Sequence, residues 1–545
     1  MFDDPRMLGL PHDTWRKGQY DAYKKAKSID DNGGGTLVIE APTGVGKSGI
    51  PTALGASKQV TVLVHNHGLL DQYEEVYGFD IIKGKQEYFC VLPSKVDHWK
   101  NSYGVIPTAG DCHFHNMYEC DYSAKCPYLI ARKRAMESNR MACTYKYAAL
   151  SPAIRERGGI IVLDEAHDCY EELIEFAKFV MDEATQKDMK FPKFPLVNFG
   201  QGGKGDLLDG ENRNQVINWI MEAMKKISIK DLFSEMTQRG SKNQKMFEYL
   251  SSALNMLVSN NMIFYKCCVP SSDDWRTLDA WTRPGIVMEI RSLDVKNVFH
   301  GLLENKTTTI LMSATIGNPK PLMGELGISD YKFVTYPHPT PVDKRPVFDL
   351  GFERMTKANL DSRPALYKQQ ADAIAKFIQS QDPSWRAIIL TSSNYKINLL
   401  NNFLKASLGS RLFLPQSAKL SERIAAFISN KEDGKIIVGT MQGWGSGISL
   451  DGNKARMSIV AGVAFSNPGD RFEALRMSTK EGRDYSFWNS YCGIVQATGR
   501  VARGELEEDG DFMLNIGCLS DGSCTTPVAM SNYSSWYKEA IVKWK

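Results

Sequence analysis

No run in this 545-residue sequence approaches the roughly 18 consecutive apolar residues that a membrane span requires. The opening segment, MFDDPRMLGLPHDTWRKGQY, carries acidic residues and no apolar stretch, so no secretory signal is expected. Internal repeats and long blocks of one charge are missing too. With 66 basic and 63 acidic residues the net charge is only +3, so bulk charge does not point to nucleic acid. Any polyanion must meet a local patch. What is present is the balance of a soluble globular protein, 43% apolar and 24% charged, which excludes disordered, collagen-like and disulfide-scaffold classes. At about 150 residues per domain, three or four domains are expected. The eleven cysteines are expected in a reducing compartment, the cytoplasm, where thiols stay free or bind metal.

Short apolar runs bounded by turn residues read as buried strands: 36–40, 160–164, 309–312, 387–390, 436–439 and 459–463. Helical patterns separate them; over 365–379, Leu366, Ile374, Phe377 and Ile378 share one face. This alternation predicts α/β architecture, with parallel sheets covered on both faces. Pro337, Pro339, Pro341 and Pro346 mark an extended connector between two halves. Two stretches break the rhythm: 83–134, rich in cysteine and aromatics, and 171–284, which reads as helical around a glycine-rich loop at 198–210.

The strand ending in Glu40 runs into Ala41-Pro42-Thr43-Gly44-Val45-Gly46-Lys47-Ser48, with a helix expected from Lys47. Alanine replaces the usual first glycine of the phosphate-binding pattern, and the remaining spacing is intact. Glycines let successive backbone N–H groups close around phosphate oxygens at a helix start. Lys47 would reach the β and γ phosphates of ATP, and the Ser48 hydroxyl would ligate Mg²⁺. A second buried strand leads into Asp164-Glu165-Ala166-His167. Asp164 is placed to hold Mg²⁺ through water, and Glu165 to orient or deprotonate the attacking water. Near the other end, Gln496-Ala497-Thr498-Gly499-Arg500-Val501-Ala502-Arg503 sets two arginines three apart. They are either a solvated basic face or a pair crossing a cleft to the γ-phosphate.

Cys90, Cys112, Cys120 and Cys126 are separated by 21, 7 and 5 residues. Structural zinc sites pair ligands about two to four residues apart, so zinc fits poorly. Four thiolates from an irregular loop suit an iron–sulfur cluster better, and on spacing alone iron–sulfur ligation, zinc and free thiols all stay open. His113 and His115 flank Cys112 and read as exposed loop residues.

Phosphate loop, DEAH, Ser313-Ala314-Thr315 and QATGRVAR, in that order, resemble superfamily 2 helicases, most of all the XPD/DinG (Rad3-type) branch. Arg16 and Gln19 are similar to that branch's adenine-reading element. The resemblance implies two RecA-like motor domains, with an iron–sulfur insertion and a helical Arch-like insertion in the first. The first motor domain would comprise 1–82, 135–170 and 285–336, interrupted by the iron–sulfur insertion at 83–134 and the Arch-like one at 171–284. A linker at 337–346 would lead to the second motor domain at 347–545. The resemblance assigns Thr43, Gly44, Gly46, His167, Gly447 and Gln496 to the nucleotide, Arg500 and Arg503 to catalysis, and the four cysteines to a [4Fe-4S] cluster.

The expected function is an ATP-dependent helicase moving 5′ to 3′ on single-stranded or forked DNA as a monomer. An RNA-containing duplex, protein displacement, or a degenerate ATPase scaffold are the alternatives. The fifth motif departs from the family, with Ser446 and Ser449 where acids are expected. Strand contacts are expected from Lys83, Lys85, Tyr88, Arg132, Lys133 and Arg134. A second set lies in the Arch-like stretch, at Tyr265, Lys266, Trp275, Arg276, Trp281 and Arg283.

Overall fold

A computed structural model describes residues 4–112, 117–195, 197, 205–227, 238–260, 262–269, 285–417, 419–444, 454–499 and 512–545. Strands β1 (Gly35–Glu40), β2 (Val60–Val64), β3 (Asp80–Ile82), β4 (Arg140–Thr144) and β5 (Ile160–Asp164) come first along the chain. An insertion follows with β6 (Lys178–Asp182), β7 (Asp206–Leu207), β8 (Ile263–Cys268) and β9 (Val287–Ser292). Then β10 (Thr308–Ser313) and β11 (Lys332–Thr335) complete the first half. The second half carries β12 (Val347–Asp349), β13 (Ala387–Thr391), β14 (Ile436–Thr440), β15 (Met457–Val460), β16 (Ile516–Leu519) and β17 (Ile541–Lys543). Helices used below are α1 (Gln19–Asp31), α2 (Gly49–Leu54), α3 (His67–Tyr77), α4 (Gln238–Ser259) and α5 (Lys480–Thr498).

Two parallel sheets form the body, ordered β11-β1-β10-β5-β2-β4-β3 and β14-β13-β15-β16-β12-β17. Runs such as VTVLV and IIVLD are buried at every position, as strands covered by helices on both faces must be. Each sheet accordingly has a core on either side. The strand register decides where the chemistry falls. Glu40 of β1 stands beside Ser313 of β10, and Met312 beside Asp164 of β5. Everything that leaves the carboxyl ends of β1, β10, β5 and β2 therefore emerges along one edge, where open α/β sheets bind their ligands.

The insertion differs from the helical expectation. It holds a four-stranded antiparallel sheet, ordered β6-β9-β8-β7, backed by α4 and the helix Gly210–Lys226. Phe179 and Met181 point inward from β6 while Lys178 and Val180 do not, the period-two alternation of a half-covered strand. Its last strand, β9, falls after residue 284, so the sheet is closed by residues assigned from sequence to the motor domain.

The two halves meet along α5. Trp488 Nε1 donates to the Ile316 carbonyl at 2.7 Å, and Cys492 Sγ to the Thr315 carbonyl at 2.9 Å. Phe472, Tyr485 and Trp488 of the second half belong to the same continuous core as β5 and β10 of the first. Among the described residues no helix is long and apolar enough to cross a membrane.

Gly317 sits at this seam with φ +57°, and a Cβ there would stand 1.8 Å from the Asn532 carbonyl oxygen. Left-handed strain and the clash together predict that Gly317→Ala destabilises the protein by about 2–4 kcal/mol. A thermal unfolding midpoint unchanged from wild type would contradict that seam.

Candidate nucleotide site between two parallel sheets

The phosphate loop leaves β1 and turns at Gly44 (φ +94°) and Gly46 (φ +83°) before α2 opens at Gly49, two residues later than the sequence suggested. Its outer side is braced from the amino-terminal segment. Arg16 Nη1 donates to the Gly44 carbonyl at 3.1 Å, and Gln19 Nε2 to the Gly46 carbonyl at 2.8 Å. Gln19 is fully buried, and a Cβ on Gly46 would come within 2.7 Å of its amide nitrogen. The glycine is needed there for space as well as for dihedral freedom.

Asp164 ends β5 and is buried. Its Oδ2 accepts from the Tyr73 hydroxyl at 2.8 Å, and its Oδ1 from the Glu165 backbone N–H at 3.0 Å. Burial lifts this carboxyl to about 6 from the usual 3.8; the neighbouring Glu165 adds to the shift, and Lys47 and the Tyr73 hydrogen bond oppose it. Glu165 takes a left-handed backbone, φ +49°, which costs a non-glycine residue about 1 kcal/mol or more. That turn places its carboxylate beside His167 Nδ1 (3.4 Å) and the Ser313 hydroxyl (3.5 Å).

His167 gathers the rest. Its Nδ1 pairs with Ser313 Oγ at 2.8 Å and its Nε2 faces the Gln496 amide at 3.2 Å. Gln496 Nε2 also donates to Thr315 Oγ1 at 3.0 Å. A side chain of the second half thus lies against both the DEAH and the Ser-Ala-Thr segments of the first. Thr43, Lys47, Glu165, His167 and Gln496 together line a cleft of about 1210 Å³ that continues past His65, Asn66 and Gln72 to Ser392, Gln442 and Asn467.

The structure therefore brings Arg16, Gln19, Thr43, Gly44, Gly46, Lys47, Ser48, Asp164, Glu165, His167 and Gln496 to one place. Arg500, Arg503, Gly447, Ser446, Ser449, His113, His115, Trp275, Arg276, Trp281 and Arg283 lie outside the described residues. Several residues at the site carried no signal in the sequence. Glu40, buried at the end of β1, accepts from the Ile316 and Gly317 N–H groups and from the Ser534 hydroxyl of the second half. His338, within the proline-rich connector, borders a cavity of about 50 Å³ with Thr43, Thr315 and Gly499. Burial and then Arg345 depress His338 to about 3, so it is neutral at pH 7.

The expected strand contacts separate into two kinds. Lys83 pairs with Asp71 at 2.7 Å, Arg134 pairs with Asp80, and Tyr265 is buried with its hydroxyl on the Pro195 carbonyl at 2.6 Å. Those three hold the fold together. Lys85, by contrast, feels the charges of Lys245 of α4 and of Arg132, where the cysteine segment meets the insertion, and Arg132 donates to the Tyr118 hydroxyl at 3.1 Å.

The four clustered cysteines are partly exposed, whereas Cys143, Cys169, Cys492, Cys518 and Cys524 are buried. A bridge between Phe89 and Thr108 folds Cys90 back toward the stretch holding Cys112, and turns through Ser123 join Cys120 to Cys126. The donor chemistry suits a thiolate-bound cluster. The sulfurs themselves are not gathered: among the described residues no three His, Cys, Asp or Glu side chains form a metal-holding group.

Residues 374–514 match the family model of the helicase C-terminal domain. The whole chain is similar to two solved structures entitled XPD_Helicase and XPD_APO, each at 15% identity. The first aligns with TM-score 0.53 over 96% of this chain and 99% of the other, the second with 0.51 over 96% and 100%. No curated protein sequence matches. The fold of the chain is the one those two structures share.

The raised Asp164 acid has a consequence for the nucleotide-free protein. Folding favours the protonated form, so the charge penalty is fully present above pH 6 and disappears as pH falls below about 4. Asp164→Asn is expected to stabilise the nucleotide-free protein at pH 8 by up to about 3 kcal/mol and to have no stabilising effect near pH 4. Equal unfolding midpoints for the two proteins at pH 8 would contradict the burial assigned to this carboxylate.

Proposed function

We propose that the protein is an ATP-driven DNA helicase that moves 5′ to 3′ along single-stranded DNA and separates duplex ahead of it. The observation that carries this reading is Gln496 lying against His167 and Thr315 in a cleft that also exposes Lys47 and Glu165. A phosphate bound at the loop can be sensed by both halves, so binding draws them together and hydrolysis releases them. Lys47 and the loop N–H groups hold the phosphates; Ser48 and Asp164 would hold Mg²⁺, which supplies charge for the leaving phosphates when bound. Glu165 orients the attacking water, kept in place by Ser313 and His167. Arg500 follows Gly499, which borders the small cavity beside Thr43 and Thr315, and with Arg503 would complete the charge around the γ-phosphate.

The cleft itself limits where a strand can lie. Its wall toward the insertion carries Glu171, Glu175, Glu289, Asp470 and Glu473 against Lys178 and Arg291, both paired with Glu175, and the excess of acids disfavours phosphates. The opposite wall offers Asn66, Gln72, Ser392, Gln442 and Asn467, neutral groups able to hydrogen-bond a sugar–phosphate chain. The strand follows that second wall and meets Lys85, Arg132 and Lys245 beyond it, beside the exposed rings of Phe89 and Tyr118. Cys90, Cys112, Cys120 and Cys126 would hold a [4Fe-4S] cluster that fixes this small segment, which has little core of its own. A monomer in a reducing, intracellular compartment completes the reading.

Two experiments test it. ATP turnover is expected to rise with single-stranded DNA and to vanish in Lys47→Ala; Glu165→Gln should still bind ATP without hydrolysing it. Absence of strand stimulation in the wild type would leave only a nucleic-acid-binding scaffold, and equal stimulation by tailed RNA duplexes would move the substrate to RNA. For the cluster, anaerobically purified protein should be brown and Cys112→Ser should bleach it. Colourless protein with stoichiometric zinc would overturn that assignment.

A further inference from the structure

Helix α3 faces two ways. Its amino-terminal residues line the strand cleft: Asn66, the cap, accepts from Leu69 N–H at 2.9 Å, and Gly68, Leu69 and Gln72 lie beside it. One residue after Gln72, Tyr73 points the other way and is 1% exposed. Its hydroxyl donates to Asp164 Oδ2 at 2.8 Å, and the Ser48 hydroxyl lies against the same phenol. Tyr77, one turn further, brings a second phenol to Ser48. The two oxygen donors that would hold the metal thus meet at a side chain that neither the phosphate loop nor the DEAH segment supplies.

We propose that Tyr73 is a positioning residue for the Ser48–Asp164 pair, and that through it α3 links the strand cleft to the metal position. The proposal rests on the nucleotide reading above. With Oδ2 held by Tyr73 and Oδ1 by the Glu165 N–H, the plane of the Asp164 carboxylate is fixed. Each oxygen keeps a lone pair for a metal-bound water. A free Asp164 would rotate and lose that alignment. The phenol lies 91 residues away in sequence but is rigid, because its ring packs edge-to-face on Phe79 at 5.0 Å. A displacement of α3 by a strand along Asn66–Gln72 is carried through Tyr73, one residue further along the helix, to Asp164 at the end of β5.

The test is the Mg²⁺ dependence of binding of a fluorescent ATP analogue, measured by anisotropy on the full-length protein. Tyr73→Phe keeps the ring and its packing, and circular dichroism should match wild type. Its Mg²⁺ midpoint is expected to rise about tenfold or more, the usual effect of losing a partner that orients a metal ligand. Tyr77→Phe, which removes no hydrogen bond to Asp164, should shift the midpoint less. A Tyr73→Phe midpoint equal to wild type, or a larger shift in Tyr77→Phe, overturns the positioning role. Wild-type protein that binds the analogue no better than Lys47→Ala would instead remove the nucleotide reading beneath it.

Discussion

The seating of α5 on the turn after β10 is the contact on which the rest depends. Trp488 and Cys492 spend their polar hydrogens on the carbonyls of Ile316 and Thr315, and the rings around them close a core shared by both halves. Only with that helix in place does Gln496 reach His167 and Thr315. The contact mixes apolar packing with a few directional bonds.

Parallel register does the remaining work of assembly. Because β1, β10, β5 and β2 run the same way and end almost level, four segments scattered along the chain leave the sheet within one cleft. Buried groups then fix each segment. Gln19 braces the loop, Tyr73 the aspartate that ends β5, and Glu40 the turn beneath α5. Charge in the cleft is uneven, with acids crowding the insertion side, and this asymmetry is what would guide a polyanion along the opposite wall.

Most of the two parallel sheets was legible in the sequence because their signals are local. A run such as IIVLD has no other stable fate than a buried strand, and the loop from Ala41 to Ser48 carries its own geometry. The Arg16 and Gln19 pair was legible only through resemblance; its physical role, bracing Gly44 and Gly46, needed coordinates. The insertion reads as helical from sequence because β6 (Lys178–Asp182) pairs with the distant β9 (Val287–Ser292), and neither strand announces its partner. Tyr73 and Glu40 were missed for the same reason: a buried tyrosine or glutamate looks like core or surface until its distant partner is known. Cysteine spacing likewise gives the donor type without the geometry that gathers the sulfurs.

The account as a whole stands on one shared pocket built by two halves. A structure determined with Mg²⁺ and a non-hydrolysable ATP analogue tests that directly. It should show the triphosphate on the loop at Lys47, the metal beside Ser48 and Asp164, and Gln496 with Arg500 closing over the γ-phosphate from the second half. A nucleotide contacted by the first half alone, with Gln496 and Arg500 turned to solvent, would contradict it.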